Sequence, residues 1–370
     1  MIEGFAALPG TIRYTERHSR AFKAGHFRAF SDLMFSSVGL GTYLGDPDEA
    51  TDQQSYQAAE ECLLNGVQVL DSAINYRAER SERVLGSVLK DLISKNKIAR
   101  DEIFISTKGG FIPFDSEYAQ DPYQYISERF IKPGVLSEKE VIQGCHAMTP
   151  KYLENQLQES LKNLGVQTID LYYLHNPETQ LEELSEDEFY STLRKAFEFL
   201  ETKVSEGKIK MYGTATWNGY RIPKDAQDYL SLAKVFETAV EAGGKNHHFK
   251  AVQLPYNLGM PEAFAHQNQL WKGESVSAIE WAKRSGLLVF ASASLLQGRL
   301  AGKLPDKIRS LFSNCSTPAA CALQFVRSTP GITTALAGMK TSAHVKENLA
   351  VSEVPPFSEE AFFDLFAPRS

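Results

Sequence analysis

Cysteine is scarce and scattered in this chain. Cys62, Cys145, Cys315 and Cys321 are the only four in 370 residues, and none sits in CxxC or Cys/His spacing. That implies neither a zinc site nor a disulfide framework. No apolar run approaches the roughly 20 residues of a spanning helix, and residues 1–30 lack the continuous apolar core of a secretory signal. No block of like charge stands out against the net charge of -7, so neither a nucleic-acid footprint nor a membrane-surface patch is expected. The Gly-rich fingerprint of a doubly wound dinucleotide-binding sheet is missing too, since "GLGTYLG" has the wrong spacing and leads into "DPDEATD". These absences predict a cytoplasmic protein with no metal, no nucleic-acid partner and no membrane partner, and leave its oligomeric state open.

What is present is rhythm. With 43% hydrophobic residues the chain can bury a large core. Short apolar runs recur, each followed by a helical pattern: "SSVGLGTYLG", "VQVLDSA", "EIFISTKGG", "IDLYYLHNP", "IKMYGTATW", "KAVQLPYN", "LLVFASAS" and "GITTALAGM". Continuous apolar runs suit parallel strands covered on both faces, and eight of them at this length predict an α/β fold of the (β/α)8 TIM-barrel type. Residues 27–370 are expected to form that barrel as a single domain. Residues 1–26, basic but containing Glu16, form an N-terminal extension that packs under it. The long stretch after the third strand, 109–150, rich in aromatics, Pro and Gly, reads as a βα loop that either walls a substrate pocket or forms a structural or oligomer-forming excursion.

Polar residues stand at three strand ends: Asp71, Lys108 and His175, with Tyr76 on the loop after the second strand. In a barrel these ends converge on one mouth. Singly, each has an ordinary reading: a helix cap, a snorkelling amine, a satisfied core histidine, a loop aromatic. Together they suit proton transfer to a carbonyl oxygen, with Tyr76 as acid, Lys108 as the cation that makes the phenol acidic, Asp71 holding Lys108, and His175 orienting the carbonyl.

"DSAINYRAERSERVLG" resembles the aldo-keto reductase signature through Asp71, Tyr76, Ser81, Glu82, Leu85 and Gly86. "ISTKGG", "LKNLGVQTIDLYYLHNP" and "GMKTSAHVKENL" are similar to that family's lysine strand, histidine segment and C-terminal nucleotide motif. The resemblance implies a (β/α)8 barrel and NADP(H)-dependent hydride transfer to a carbonyl, with Asp71, Tyr76, Lys108 and His175 as the catalytic tetrad and no metal. It further implies that Gln253 and Thr216 hold the nicotinamide amide. Leu295, Gln297, Gly298 and Arg299 would lie near the pyrophosphate. Gly338, Lys340, Thr341, His344, Glu347 and Asn348 would form the adenosine end. Two departures stand out: "GTATWN" replaces the usual Ser-Asn pair, and Ser292 stands where the family often has a stacking aromatic. Strand-end geometry places Tyr43, Arg77, Phe111, Asn176 and Trp217 around the substrate, with Arg77 free to bind a carboxylate or to pair with Glu79 or Glu82. The resemblance also extends to channel-associated β subunits, which bind the nucleotide while serving a partner. A lyase or isomerase using Lys108 as a Schiff-base amine is a third reading.

Overall fold

The computed structural model describes residues 1–366. Eight parallel strands close a barrel in chain order: Val38–Gly41, Val69–Asp71, Phe104–Gly109, Ile169–His175, Ile209–Ala215, Phe249–Pro255, Leu288–Ser292 and Thr334–Gly338. The eighth strand pairs with the first, Gly338 opposite Gly41, which completes the ring. Each apolar run quoted above supplies one strand. Helices between them form the outer layer and start where their caps dictate. Asp48 caps Glu49–Leu64, and Ser185 with Glu188 forms a capping box on Glu186–Ser205. Pro150 opens Pro150–Leu164, and Gly165 closes it in the left-handed region.

Side chains alternate along a strand, so one strand serves two cores. Tyr172 and Leu174 face the helices, whereas Leu171 and Tyr173 face the barrel axis with Val69, Phe104, Ala251, Leu288, Phe290 and Leu336. The lower barrel is plugged. A hairpin, Phe27–Phe30 with Leu33–Ser36, crosses beneath it and inserts Phe35 edge-on to Phe104 at 5.0 Å, while Phe104 stacks on Phe290 at 5.8 Å. Space for a ligand is thereby confined to the other end.

Residues before the hairpin pack around the barrel's lower end, where Ala6 joins the inner cluster and Thr11 Oγ1 accepts from the Met34 N–H of the hairpin. The Ala6 backbone N–H donates to Asp170 at 2.7 Å, and the helix Leu8–His18 buries Tyr14, whose hydroxyl donates to the Leu63 carbonyl. The stretch after the third strand fits the structural excursion more than the pocket wall. It is folded about its own cluster of Ile112, Ile126, Phe130, Leu136 and Ala147 closing on Tyr152, and it includes a short helix, Pro122–Ile126. Among the described residues no helix is long and apolar enough to cross a membrane.

Candidate active site

The strand register brings the four candidates together. Asp71 lies beside Ser106 across the second and third strands, two residues from Lys108, and Lys108 lies beside Tyr173, two residues from His175. Lys108 is fully buried, and its ammonium donates to Asp71 Oδ2 and to the Ser72 carbonyl, both at 2.6 Å. Asp71 Oδ1 accepts from Ser106 Oγ and Gln253 Nε2, each at 2.8 Å. The Lys108 nitrogen stands 4.9 Å from the centre of the Tyr76 ring, which meets His175 edge-on at 5.7 Å and Tyr43 at 5.1 Å.

A cavity of about 700 Å³ opens over this cluster. Near the tetrad it is lined by Tyr43, Asn75, Tyr76, Phe111, His175, Asn176 and Trp217. It then runs past Thr216, Gln253, Ser292, Leu295, Gln297 and Gly298 to Gly338, Lys340, His344, Glu347 and Asn348. Three lining residues carry buried side-chain atoms with no hydrogen-bond partner: Asn75 Oδ1, His175 Nδ1 and Thr216 Oγ1. Buried polar atoms are ordinarily satisfied, so their convergence here marks a surface shaped for a polar ligand.

Burial sets the protonation states. It holds the Tyr76 phenol well above its usual range, with the Asp71 charge and then Tyr43 adding to the effect. It lowers Lys108, opposed by Asp71, and it keeps His175 well below the usual histidine value, helped by Lys108 and His146. The expected acidification of the phenol by Lys108 is opposed by burial and by the Asp71 carboxylate. Asp71 and Lys108 face the phenol as a hydrogen-bonded pair. The site holds a protonated phenol beside a neutral imidazole.

Several expectations need correcting. Arg77 is not in the cavity: its guanidinium is buried against Asp52 at 2.5 Å and donates to the Asp46 and Asp48 carbonyls, pairing with neither Glu79 nor Glu82. Arg77, Ala78 and Glu79 all have positive φ, and this left-handed run turns the chain back from the mouth. Lys108 sits behind Tyr76 rather than in the lining, so a Schiff-base role lacks an accessible amine. Thr341 caps the helix Ser342–Leu349 by accepting from the His344 N–H, and Arg299 also lies outside the lining. The long excursion lends the cavity only Phe111 among the described residues. Asn75 was missed, though its place beside Tyr76 was a usable signal.

The segment after the seventh strand borders the cavity. Leu296, Gln297 and Gly298 are consecutively left-handed, with φ of 48°, 54° and 89°, and form a tight turn in which the Leu296 and Gly298 N–H groups donate to the Ala293 and Leu295 carbonyls. Nothing lies within 4 Å of where a Gly298 Cβ would stand, so the glycine serves the backbone angle and open access.

A sequence profile described as the Aldo/keto reductase family matches residues 37–257, more than half of the chain. The chain belongs to this family. Within it, an NADH-specific methylglyoxal reductase of Escherichia coli (strain K12) is 24% identical over 213 residues, 55% of this chain and 54% of that protein, so the match spans about half of that relative's length. A putative voltage-gated potassium channel subunit beta of Schizosaccharomyces pombe is 23% identical over 346 residues, 88% of this chain and 87% of that one. Among solved structures, an aldo/keto reductase from Klebsiella pneumoniae in complex with NADP and acetate superposes with a TM-score of 0.58 at 20% identity, covering 90% of this chain and 91% of that chain. The holo form of an aldo-keto reductase from Bacillus halodurans gives 0.61 at 19% identity, covering 92% and 95%. At these identities the structural matches speak for the (β/α)8 fold alone.

Burial at and around the site also governs how stability follows pH. His26 and His146 are held at about 3 and about 4, below the usual 6.5, and His175 lies well below it too. Glu82 and Glu178 move the other way, from 4.5 to about 7. Each unfolded histidine takes up a proton below 6.5 that the folded one refuses, so stability is lost as pH falls from there. Each folded carboxyl keeps a proton that the unfolded one sheds above 4.5, so its contribution falls as pH rises to about 7. The slopes oppose one another between 4.5 and 6.5, where three histidines outnumber two carboxyls, and below 4.5 the histidines are joined by carboxylates held low by their partners, such as Asp115 beside Arg83. The thermal midpoint is expected to fall gently with falling pH across the first window and steeply below it, which a calorimetric pH series checks.

Proposed function

We propose that this aldo-keto reductase reduces an aldehyde or ketone to the alcohol, or runs the reverse, using NADP(H), with Tyr76 as general acid. The observation that carries the reading is the placement of a protonated phenol and a neutral imidazole, 5.7 Å apart between ring centres, at the floor of a cavity with an ion pair behind the phenol. A carbonyl oxygen seated between the two rings accepts a hydrogen bond from His175 and takes the proton of Tyr76. The Lys108 ammonium then faces the phenolate left behind and stabilises it, while Asp71 fixes the ammonium in place. When bound, the nicotinamide cofactor supplies the hydride. The proton comes from the protein.

The cavity suits that cofactor. Thr216 brings an unsatisfied buried hydroxyl, and Leu295, Gln297 and Gly298 line the cavity where the pyrophosphate would pass, Gly298 leaving open access. Lys340 and His344 bring cationic or donor groups for a 2′-phosphate at the far end, with Glu347 and Asn348 beside them. Gln253 has turned its amide nitrogen to Asp71, so it supports the tetrad carboxylate as well as lining the cavity. Lys340→Glu is expected to weaken NADPH roughly tenfold to a hundredfold while NADH changes little, because a charged hydrogen bond contributes ~1.5–3 kcal/mol and only NADPH offers the phosphate. Fluorescence titration with both nucleotides measures this, and equal losses would remove the assigned contact.

Around the substrate end, Tyr43, Phe111 and Trp217 give aromatic surface while Asn75 and Asn176 give neutral polar groups. With Arg77 committed elsewhere, this lining favours an uncharged, medium-sized carbonyl compound. The sparse cysteines fit a cytoplasmic setting, and the division into an extension at 1–26 and a barrel at 27–370 belongs to the same reading. A second reading is a nucleotide-binding regulatory subunit, favoured by the long match to the channel subunit. A panel of aldehydes assayed with NADPH separates them: turnover supports the reductase, and tight nucleotide binding without turnover supports the subunit.

A further inference from the structure

His146, at the return of the long excursion, is fully buried against the strand that ends in His175. Its Nε2 lies 2.7 Å from the His175 carbonyl oxygen and its Nδ1 lies 2.8 Å from Gln180 Nε2. A carbonyl only accepts, so the ring proton belongs on Nε2; Nδ1 must then accept, which fixes the Gln180 amide as the donor. Burial keeps the ring neutral, with a pKa lowered to about 4.

The same peptide group is held from its other side, where the Asn176 N–H donates to the Ala215 carbonyl at 2.6 Å. The peptide plane between His175 and Asn176 is thus clamped at both ends, and Asn176 follows in the left-handed region at φ 43°. Phe111 stands between the two histidines, edge-on to each at 5.1 Å. Gly110 makes the approach possible, because a Cβ there would come within 2.8 Å of both His146 Nε2 and the His175 carbonyl. Two cavity-lining residues, His175 and Asn176, therefore take their orientation from a side chain that does not itself line the cavity.

We propose that His146 is a positioning residue, which through its hydrogen bond to the His175 carbonyl sets the His175 ring and the Asn176 side chain for the carbonyl substrate. This rests on the reductase reading. His146→Phe keeps the ring and removes the donor; His146→Gln keeps a donor near Nε2. His146→Phe is expected to lower kcat about ten- to a hundredfold by misplacing His175, with nucleotide affinity unchanged. His146→Gln should restore most of the loss. Gln180→Leu, which leaves His146 free to adopt the other tautomer, should lower kcat by a smaller factor. Near-normal kcat in both His146→Phe and Gln180→Leu overturns the proposal, as does an equal loss in His146→Phe and His146→Gln. If His146→Phe does not fold, near-normal kcat in Gln180→Leu, or as large a loss in His146→Gln as in Gln180→Leu, overturns the proposal. The Asn176 backbone amide resonance in NMR reads the clamp without turnover: it should shift in Gln180→Leu and stay near its wild-type position in His146→Gln. If the wild type turns over no carbonyl, the reductase reading falls, and an unmoved resonance in Gln180→Leu separately overturns the clamp.

Discussion

Tyr76→Phe is expected to lower carbonyl reduction by about 100- to 10,000-fold, the range that general acid catalysis contributes, while leaving nucleotide affinity nearly unchanged. The substitution removes one oxygen from a ring that is otherwise packed between Tyr43, His175 and the Lys108 ammonium, so the cavity keeps its shape. No hydrogen bond within the protein is lost that would rearrange its neighbours, which makes the fall in kcat attributable to the missing proton. If the phenol merely packed, the phenylalanine variant would turn over at close to the normal rate. Single-turnover measurement with saturating nucleotide, alongside a binding titration, distinguishes the two outcomes.

The second large effect concerns Lys108 and Asp71. Lys108→Met leaves the Asp71 carboxylate buried with only Ser106 and Gln253 as donors. Removing one member of a buried ion pair costs about 3–5 kcal/mol, so this variant should lose thermal stability as well as nearly all activity. Asp71→Asn turns an amide toward the ammonium and displaces it from the Tyr76 ring. Because the two side chains act on the phenol as one unit, the double variant Asp71→Asn with Lys108→Met should lose little more activity than the worse single variant. It should also recover part of the stability that Lys108→Met loses, since no unpaired charge stays buried. Losses in barrier height that simply add would show that Asp71 acts on the fold and not through Lys108.

All eight strands could be read from the chain because a parallel strand covered on both faces is apolar along its whole length, and such runs are hard to mistake at this number. The residues at their ends were readable for a related reason: Asp71, Lys108 and His175 interrupt those runs where the barrel interior ends. What could not be read depends on backbone direction and on partners distant in sequence. Arg77 follows Tyr76 directly, yet three successive positive-φ residues turn it towards Asp52, and nothing in residue type signals such a run. The excursion's aromatics suggested a pocket wall, but composition does not say which way a ring faces, and most of these rings close on one another. Its buried His146 looked like any loop histidine until the fold brought it to His175.

The excursion after the third strand has its own apolar centre, returns at a neck where Ala147 N–H pairs with the Gly110 carbonyl and Ile112 N–H with the Cys145 carbonyl, and also docks through Asp115 and Ser116 on Arg83, Arg80 and Ala78 and through Gln143 on Glu183. Closing a longer or shorter loop across a fixed neck changes the chain entropy only logarithmically with length. The stretch between Glu117 and Ile142 is therefore where variation in length costs the barrel least, provided Gly110, Phe111, the Asp115–Ser116 contacts with Arg80 and Arg83, and the return through His146 are retained. Divergence among proteins built on this plan would then be read most directly in that stretch, while the neck stays legible as a fixed hinge point for grafting.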